Sequence, residues 1–489
     1  MKIKIPQKDF ANTLSQVNLA VPSKPHHPIL NNLLLYADKH KQLVVISAFD
    51  MSLGIRAECK CSVDDGGTIA LPAKLLSQLV SSLPKGDIIL EVLDNSAVLS
   101  HSTGKCRVQA ANPQEFPPLP EANGTSITLS ASKLLQALEA TLFAASLDET
   151  KFVLAGVHFK FARTHWEAAA TDGHRLGVAC GTLELNENTE SAFDPDLVEM
   201  TIPHQTLTEL QKILGSVGEN SECKISLDNR IAVFDLPSFR ITSRLIEGEY
   251  PKYSSLIPQQ FQHQFTIDRK ALDNILKRVG IFADQKEKVV AITFDYSNQQ
   301  ANLCTQYQDV GGAVESISIK SKGDQEQKLH IGFNIKYLSD ALKFIPTDEV
   351  LIQANLPTTP VIITPVGGIL NHLILVMPLQ LIAAEEDFLT IDPLSTTESM
   401  TDEDISTANQ QTSSTFKETL VTDEEAPSTT EIAAEVALVM AKSVLEGSSQ
   451  LPEVNTNPQV TENITTATHS PTTPTTQTKG RKKKPKAAA

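Results

Sequence analysis

Long apolar runs are missing from this sequence of 489 residues: none approaches the ~20 residues that a bilayer-spanning helix needs. The opening Met1-Lys2-Ile3-Lys4-Ile5-Pro6 lacks the apolar core of a signal peptide and reads as the first strand of a cytoplasmic protein. Cysteines are few and scattered. Only Cys59 and Cys61 lie close, on one face of a strand, and no second pair completes a zinc site. The thiols therefore read as reduced and mostly buried, and no metal is expected. Positive charge is also lacking. A formal net charge of −16 argues against a protein that simply coats nucleic acid. The deficit is uneven: from Glu385 onward, 17 acidic and 8 basic residues account for −9, which leaves −7 for the first 384.

What the chain does have is a repeat, and its length suits about three domains. A helical face built on Phe10, Leu14 and Val17 returns as Leu134, Leu138 and Leu142, then as Leu272, Ile275, Leu276 and Val279. Ser130 and Asp268 are suited to cap the second and third copies. A second helix recurs in stricter register, at Leu71-Pro72-Ala73-Lys74, Ile202-Pro203-His204-Gln205 and Phe333-Asn334-Ile335-Lys336, 131 residues apart each time. Pro72 and Pro203 fit a first helical turn, where no backbone donor is needed. Strand-like runs follow at 88–93 and 350–352. Glu115-Phe116-Pro117 and Glu249-Tyr250-Pro251 close the first two copies. The expectation is an α+β fold with three tandem domains, 1–122, 123–258 and 259–384, each with two helices on antiparallel sheet.

Within the second copy, Ala170-Thr171-Asp172-Gly173-His174-Arg175-Leu176 reads as a hairpin turn between strands at 157–170 and 176–183. Asp-Gly supplies the turn chemistry. The equivalent stretches, Ala48-Phe49-Asp50-Met51-Ser52-Leu53 and Thr305-Gln306-Tyr307-Gln308-Asp309-Val310, lack the His-Arg pair. The turn is thus scaffold, and His174 and Arg175 are particular to the second copy. An enzyme using Asp172, His174 and Arg175, such as a hydrolase acting on DNA, is the weakest reading, because no nucleophile, metal or phosphate-loop motif accompanies them. From about residue 385 the composition turns to Thr, Ser, Asn, Gln, Pro and acid, too polar to offset the ordering cost of the chain. A disordered tail is expected at 385–489, with one short helix at 430–446 and a basic cluster at 479–486.

The three copies, the 170–176 motif and the ending Val376-Met377-Pro378-Leu379-Gln380-Leu381 together resemble the bacterial β sliding clamp family, the processivity subunit of DNA polymerase III. His27-Pro28-Ile29-Leu30, Glu249-Tyr250-Pro251-Lys252-Tyr253 and Ile331-Gly332-Phe333-Asn334 extend the resemblance over residues 1–384. It implies a non-catalytic protein without cofactor that forms a head-to-tail homodimer, a six-domain ring encircling duplex DNA without reading its sequence. The implied partners are the polymerase III alpha subunit, the clamp loader, and other polymerases and repair proteins. These dock in a groove matched by Leu154, Thr171, Gly173, His174, Arg175, Leu176, Pro251 and Leu256 of the second domain region. Asn334, Tyr337, Leu375, Val376, Met377, Pro378 and Leu381 match the rest. Lys24, Lys74 and Lys336 match DNA-facing positions. Cys106 and Val108 of one chain would meet Ile281 and Phe282 of the other chain at the dimer seam. A scaffold that docks proteins without encircling DNA is the alternative.

Overall fold

Six times among the described residues a strand runs directly into a helix. The computed structural model describes residues 1–122, 124–148, 150–183, 197–218, 220–228, 230–283, 288–307, 311–322, 328–367 and 371–381, all within the compact unit Met1–Leu445. The expected tail helix at 430–446 and the basic cluster at 479–486 lie outside these residues. The helices are α1 (Gln7–Val17), α2 (Ala73–Ser82), α3 (Ala131–Thr141), α4 (His204–Leu214), α5 (Arg269–Val279) and α6 (Ile335–Lys343). The pivot before each is Pro6, Pro72, Ser130, Pro203, Asp268 or Asn334.

These pivots solve the problem of unpaired N–H groups at a helix start in two ways. The Ser130 hydroxyl, the Asp268 carboxylate and the Asn334 amide oxygen accept from backbone N–H groups of the first turn, as an N-cap should. Pro72 and Pro203 occupy the cap position rather than the first turn, one residue earlier than their sequence suggests. At Pro6 and Pro203 the first helical N–H is held from outside alone, Gln7 donating to the Gly86 carbonyl at 2.8 Å and His204 to that of Ala155 at 2.9 Å; Ala131, Arg269 and Ile335 have such a bond in addition to their side-chain cap. The periodicity expectations hold at the core, where Phe10, Leu14, Val17, Leu134, Leu138, Leu272 and Leu276 are all buried. Leu76, Leu207 and Leu338, equivalent across the copies, are also buried, each contributing roughly 1.5–3 kcal/mol.

The sheets knit the repeats together. An eight-stranded sheet joins Leu53–Lys60 of the first repeat to Phe239–Arg244 of the second, Ile55 opposite Ile241. A twelve-stranded sheet joins Arg175–Thr182 of the second to Asn371–Val376 of the third, Gly177 opposite Ile374. A five-stranded sheet of the first repeat ends at Gly104–Gln109, which has only one neighbour among the described strands. The segment read as one strand at 157–170 is two, Gly156–Ala162 and His165–Thr171, paired antiparallel through a turn at Arg163-Thr164. That turn carries no Gly or Pro, so the sequence gives no break there. The second repeat also has a strand after its second helix, Glu222–Asp228, with Cys223, Ile225 and Leu227 buried.

Candidate functional site

The turn at 172–174 is held by its own aspartate. Asp172 Oδ1 accepts from the backbone N–H of His174 at 2.9 Å and of Arg175 at 3.1 Å, while Gly173 takes φ +97°, a region glycine enters without strain. Asp50 does the same in the first repeat, accepting from Ser52 and Leu53, with Met51 at φ +80° in place of glycine. Thr171 ties the turn to the wall beside it. Its N–H donates to the Tyr250 hydroxyl oxygen at 3.0 Å, and its own hydroxyl donates to the Arg175 carbonyl at 2.6 Å. The His174 carbonyl accepts from Met377 N–H at 2.9 Å, which pins the segment after strand 371–376 to the turn.

Around this turn lies an apolar cluster separate from the two main cores. Leu176 and Leu375 are buried in it, and Leu154, Leu256 and Met377 border it half-exposed. Sequence reasoning missed Ala169, Val178, Tyr250, Tyr253 and Ile362 as members and Val153 and Phe261 as neighbours; strand alternation from Leu176 reaches Val178, but nothing local marks the others. Burial raises the Tyr250 and Tyr253 hydroxyls above their usual range, so both stay protonated; Tyr250 accepts from Thr171 and Tyr253 donates to the Glu167 carboxylate. Tyr337 and His174 close one side, their rings stacked with centroids 5.8 Å apart. Asn334 caps α6 beneath Tyr337. Leu381 packs beside Gly332, and the Leu379 N–H donates to the Gly332 carbonyl. Pro251 and Pro378 are half-buried.

Two of the expected residues sit elsewhere. Val376 faces the core of the third repeat, on the opposite side of its strand from Leu375. Arg175 is only 8% exposed and engaged by two carboxylates. That engagement also removes the catalytic reading. The Asp172 carboxylate is committed to Arg175 and the turn, and the His174 ring is stacked on Tyr337 rather than oriented by an acid.

Elsewhere the helices carry a charge bias opposite to that of the chain. Across α1–α6 there are ten Lys and Arg against five Asp and Glu. Lys74 and Lys336 occupy the same register of α2 and α6, and both are exposed, as is Lys24 in the loop after α1. Gln205 takes the matching place in α4. At the seam positions Val108 is buried, Cys106 and Phe282 are half-buried, and Ile281 is 70% exposed just beyond α5.

Tandem repeats joined strand to strand, with strands 104–109 and 311–318 paired on one side only among the described residues, define a clamp-type repeat protein. Comparisons agree over the whole described region. Models of the N-terminal, central and C-terminal domains of the DNA polymerase III beta subunit match residues 1–120, 128–252 and 254–378. The beta sliding clamp of Synechocystis sp. is 41% identical over 394 residues, covering 78% of this chain and 100% of the relative. That of Synechococcus elongatus is 38% identical with the same coverage. A clamp from Bartonella birtlesii, solved bound to griselimycin, is 27% identical with a TM-score of 0.70 over 78% of this chain and 100% of that one. The chain belongs to the family of DNA polymerase III beta subunits, the beta sliding clamps, which are non-catalytic subunits that tether the polymerase to DNA. Clamps of this family bind DNA, pair with a second copy of themselves, and dock the polymerase and other proteins.

Proposed function

We propose that partner peptides dock in the apolar furrow between the 172–174 turn, the Tyr250–Leu256 connector, Tyr337 and Met377. Apolar walls with a few convergent polar groups suit a peptide with two or three apolar anchors, and the thioether of Met377 adapts to differing side chains. Griselimycin, which the Bartonella birtlesii clamp binds, would occupy the same furrow. Lys24, Lys74 and Lys336 face the duplex and attract phosphates without reading bases. Domain boundaries fall near residues 122 and 258, and the protein acts in the cytoplasm.

The observation that carries the ring is a register. Strand 53–60 pairs with 239–244 and strand 175–182 with 371–376 in the same offset. The remaining equivalents are Gly311–Lys322, whose residues 311–318 have a partner on one side only, and Gly104–Gln109. Laid in the same offset, Cys106 of one copy falls opposite Ala313 of the other, as Ile241 does to Ile55 and Ile374 to Gly177. Retention on nicked circular DNA tests this function. Loss of the protein when the circle is linearised supports a topological hold, and equal retention on both would refute it.

A further inference from the structure

Arg175 occupies a groove position in sequence, yet its guanidinium is spoken for. Nε lies 3.1 Å from Asp172 Oδ2 and Nη1 2.7 Å from Asp340 Oδ2. The same group lies over the ring of Tyr337, 4.8 Å from its centroid, and over that of Phe143 at 5.4 Å. Asp340 stands on α6 one turn after Tyr337, so the ion pair crosses from the second repeat to the third. Tyr337 is therefore held by two second-repeat residues, the stacked His174 ring and the Arg175 cation. A guanidinium with two carboxylates and two ring faces has little left to offer a ligand.

The first junction supplies an internal control. In the repeat register Arg175, Tyr337 and Asp340 correspond to Leu53, Thr206 and Glu209. Leu53 is plain core. The Thr206 hydroxyl accepts from Ser243 at 3.0 Å. Glu209 pairs along its own helix with Lys212 at 2.7 Å. The cross-repeat ionic link thus accompanies the junction that has the furrow and is replaced by apolar and neutral contacts at the junction that lacks it.

The geometry assigns Arg175 and Asp340 as positioning residues: together they hold Tyr337 against the 172–174 turn, so that the docking furrow is formed before a ligand arrives. The ligand meets His174 and Tyr337, and the guanidinium stays behind them. This rests on the docking reading above. Removing Asp340 leaves the buried Arg175 guanidinium poorly compensated, removing Arg175 frees Tyr337 from its cation, and the formed furrow becomes a minor state. Apparent affinity then falls by the fraction formed, through the association rate, while dissociation from the formed state is unchanged.

Surface-plasmon kinetics with griselimycin on the full-length protein test this. Asp340→Asn is expected to lower the association rate about tenfold with the dissociation rate unchanged. Asp340→Glu, which keeps the carboxylate, should recover to within about threefold of the parent. Arg175→Met combined with Asp340→Asn should be no weaker than Arg175→Met alone, because the two act as one unit. Met377→Ala, a wall residue outside the link, should raise the dissociation rate. If Met377→Ala changes neither rate, the docking reading itself fails. If Met377→Ala acts while Asp340→Asn does nothing and Arg175→Met raises the dissociation rate, Arg175 is a direct ligand contact and the positioning role is overturned.

Discussion

The two junctions within the chain use the same strand pairing and end with different surfaces. At the first, Gly54 stands where the second has Leu176, and the Leu119 Cδ2 lies 3.0 Å from the point a Gly54 Cβ would occupy. The connector there runs from Pro117 to Pro120 and lays Leu119 into the space. At the second, the connector runs from Pro251 to Pro258 and makes a 3₁₀ turn at Tyr253–Leu256, which carries Leu256 to the edge of the apolar cluster and leaves its face open. The furrow proposed for docking thus lies at the junction that has four more connector residues and a leucine in place of glycine.

The packing logic of the shared position Ile55/Gly177 should break in opposite directions. Ile55 is fully buried, and Ile55→Ala is expected to cost about 2–5 kcal/mol by leaving a cavity. At Gly177 an added Cβ would lie 2.6 Å from the Ala140 carbonyl oxygen, so Gly177→Ala should cost about 3 kcal/mol by overpacking. Denaturant titration of each variant checks both values, and a neutral Gly177→Ala would contradict the close approach of α3 to this strand.

Acid should strike the second junction first. His158 and His372 are buried in the second and third repeats, and burial holds both down to about 4; Leu34 and Phe239 take their places in the first junction's sheet. His158 Nδ1 lies 3.0 Å from the Thr201 hydroxyl, and its ring stacks on Tyr250 at 4.7 Å. Since the folded state binds these protons more weakly than the unfolded chain, stability is full above about pH 6.5 and falls as pH drops toward 4. The loss is expected to be roughly 2–3 kcal/mol per histidine. Hydrogen exchange should show strands 156–162 and 371–376 opening before 32–38 and 239–244, and His158→Gln should flatten part of the pH dependence. Equal acid sensitivity of the two sheets would contradict this.

A smaller effect follows from transplanting the difference. Gly54→Leu should cost about 1–3 kcal/mol by collision with Leu119, and adding Leu119→Ala should recover most of it in thermal melts. The smallest effects belong to the exposed lysines. Lys24→Ala and Lys74→Ala should each reduce the salt dependence of DNA association by about one phosphate contact and leave griselimycin binding unchanged.

Much of this was legible in the sequence because repetition makes weak signals agree. The helix faces at Phe10, Leu134 and Leu272, the caps Ser130 and Asp268, and the turn at Asp172-Gly173 rest on local periodicity and backbone chemistry. What local pattern did not show depends on contacts between distant segments. The 157–170 region hid a turn without Gly or Pro. Arg175 matched a groove position, and nothing local marks its partner Asp340, 165 residues away. Val376 was grouped with its neighbours, although alternation along a strand sends it to the opposite face.

In the proposed ring, the open strands at 104–109 and 311–318 pair between copies in the register of the two internal junctions. Cα atoms directly opposite in an antiparallel pair lie ~4.5–5.5 Å apart, within disulfide range. Ala313→Cys, oxidised with the native Cys106 on nicked circular DNA, tests it directly. A covalently closed dimer that stays on the circle through detergent and heat and is lost on linearisation is the expected result. A protein that remains monomeric on denaturing gels, or crosslinks yet leaves the intact circle, would contradict it.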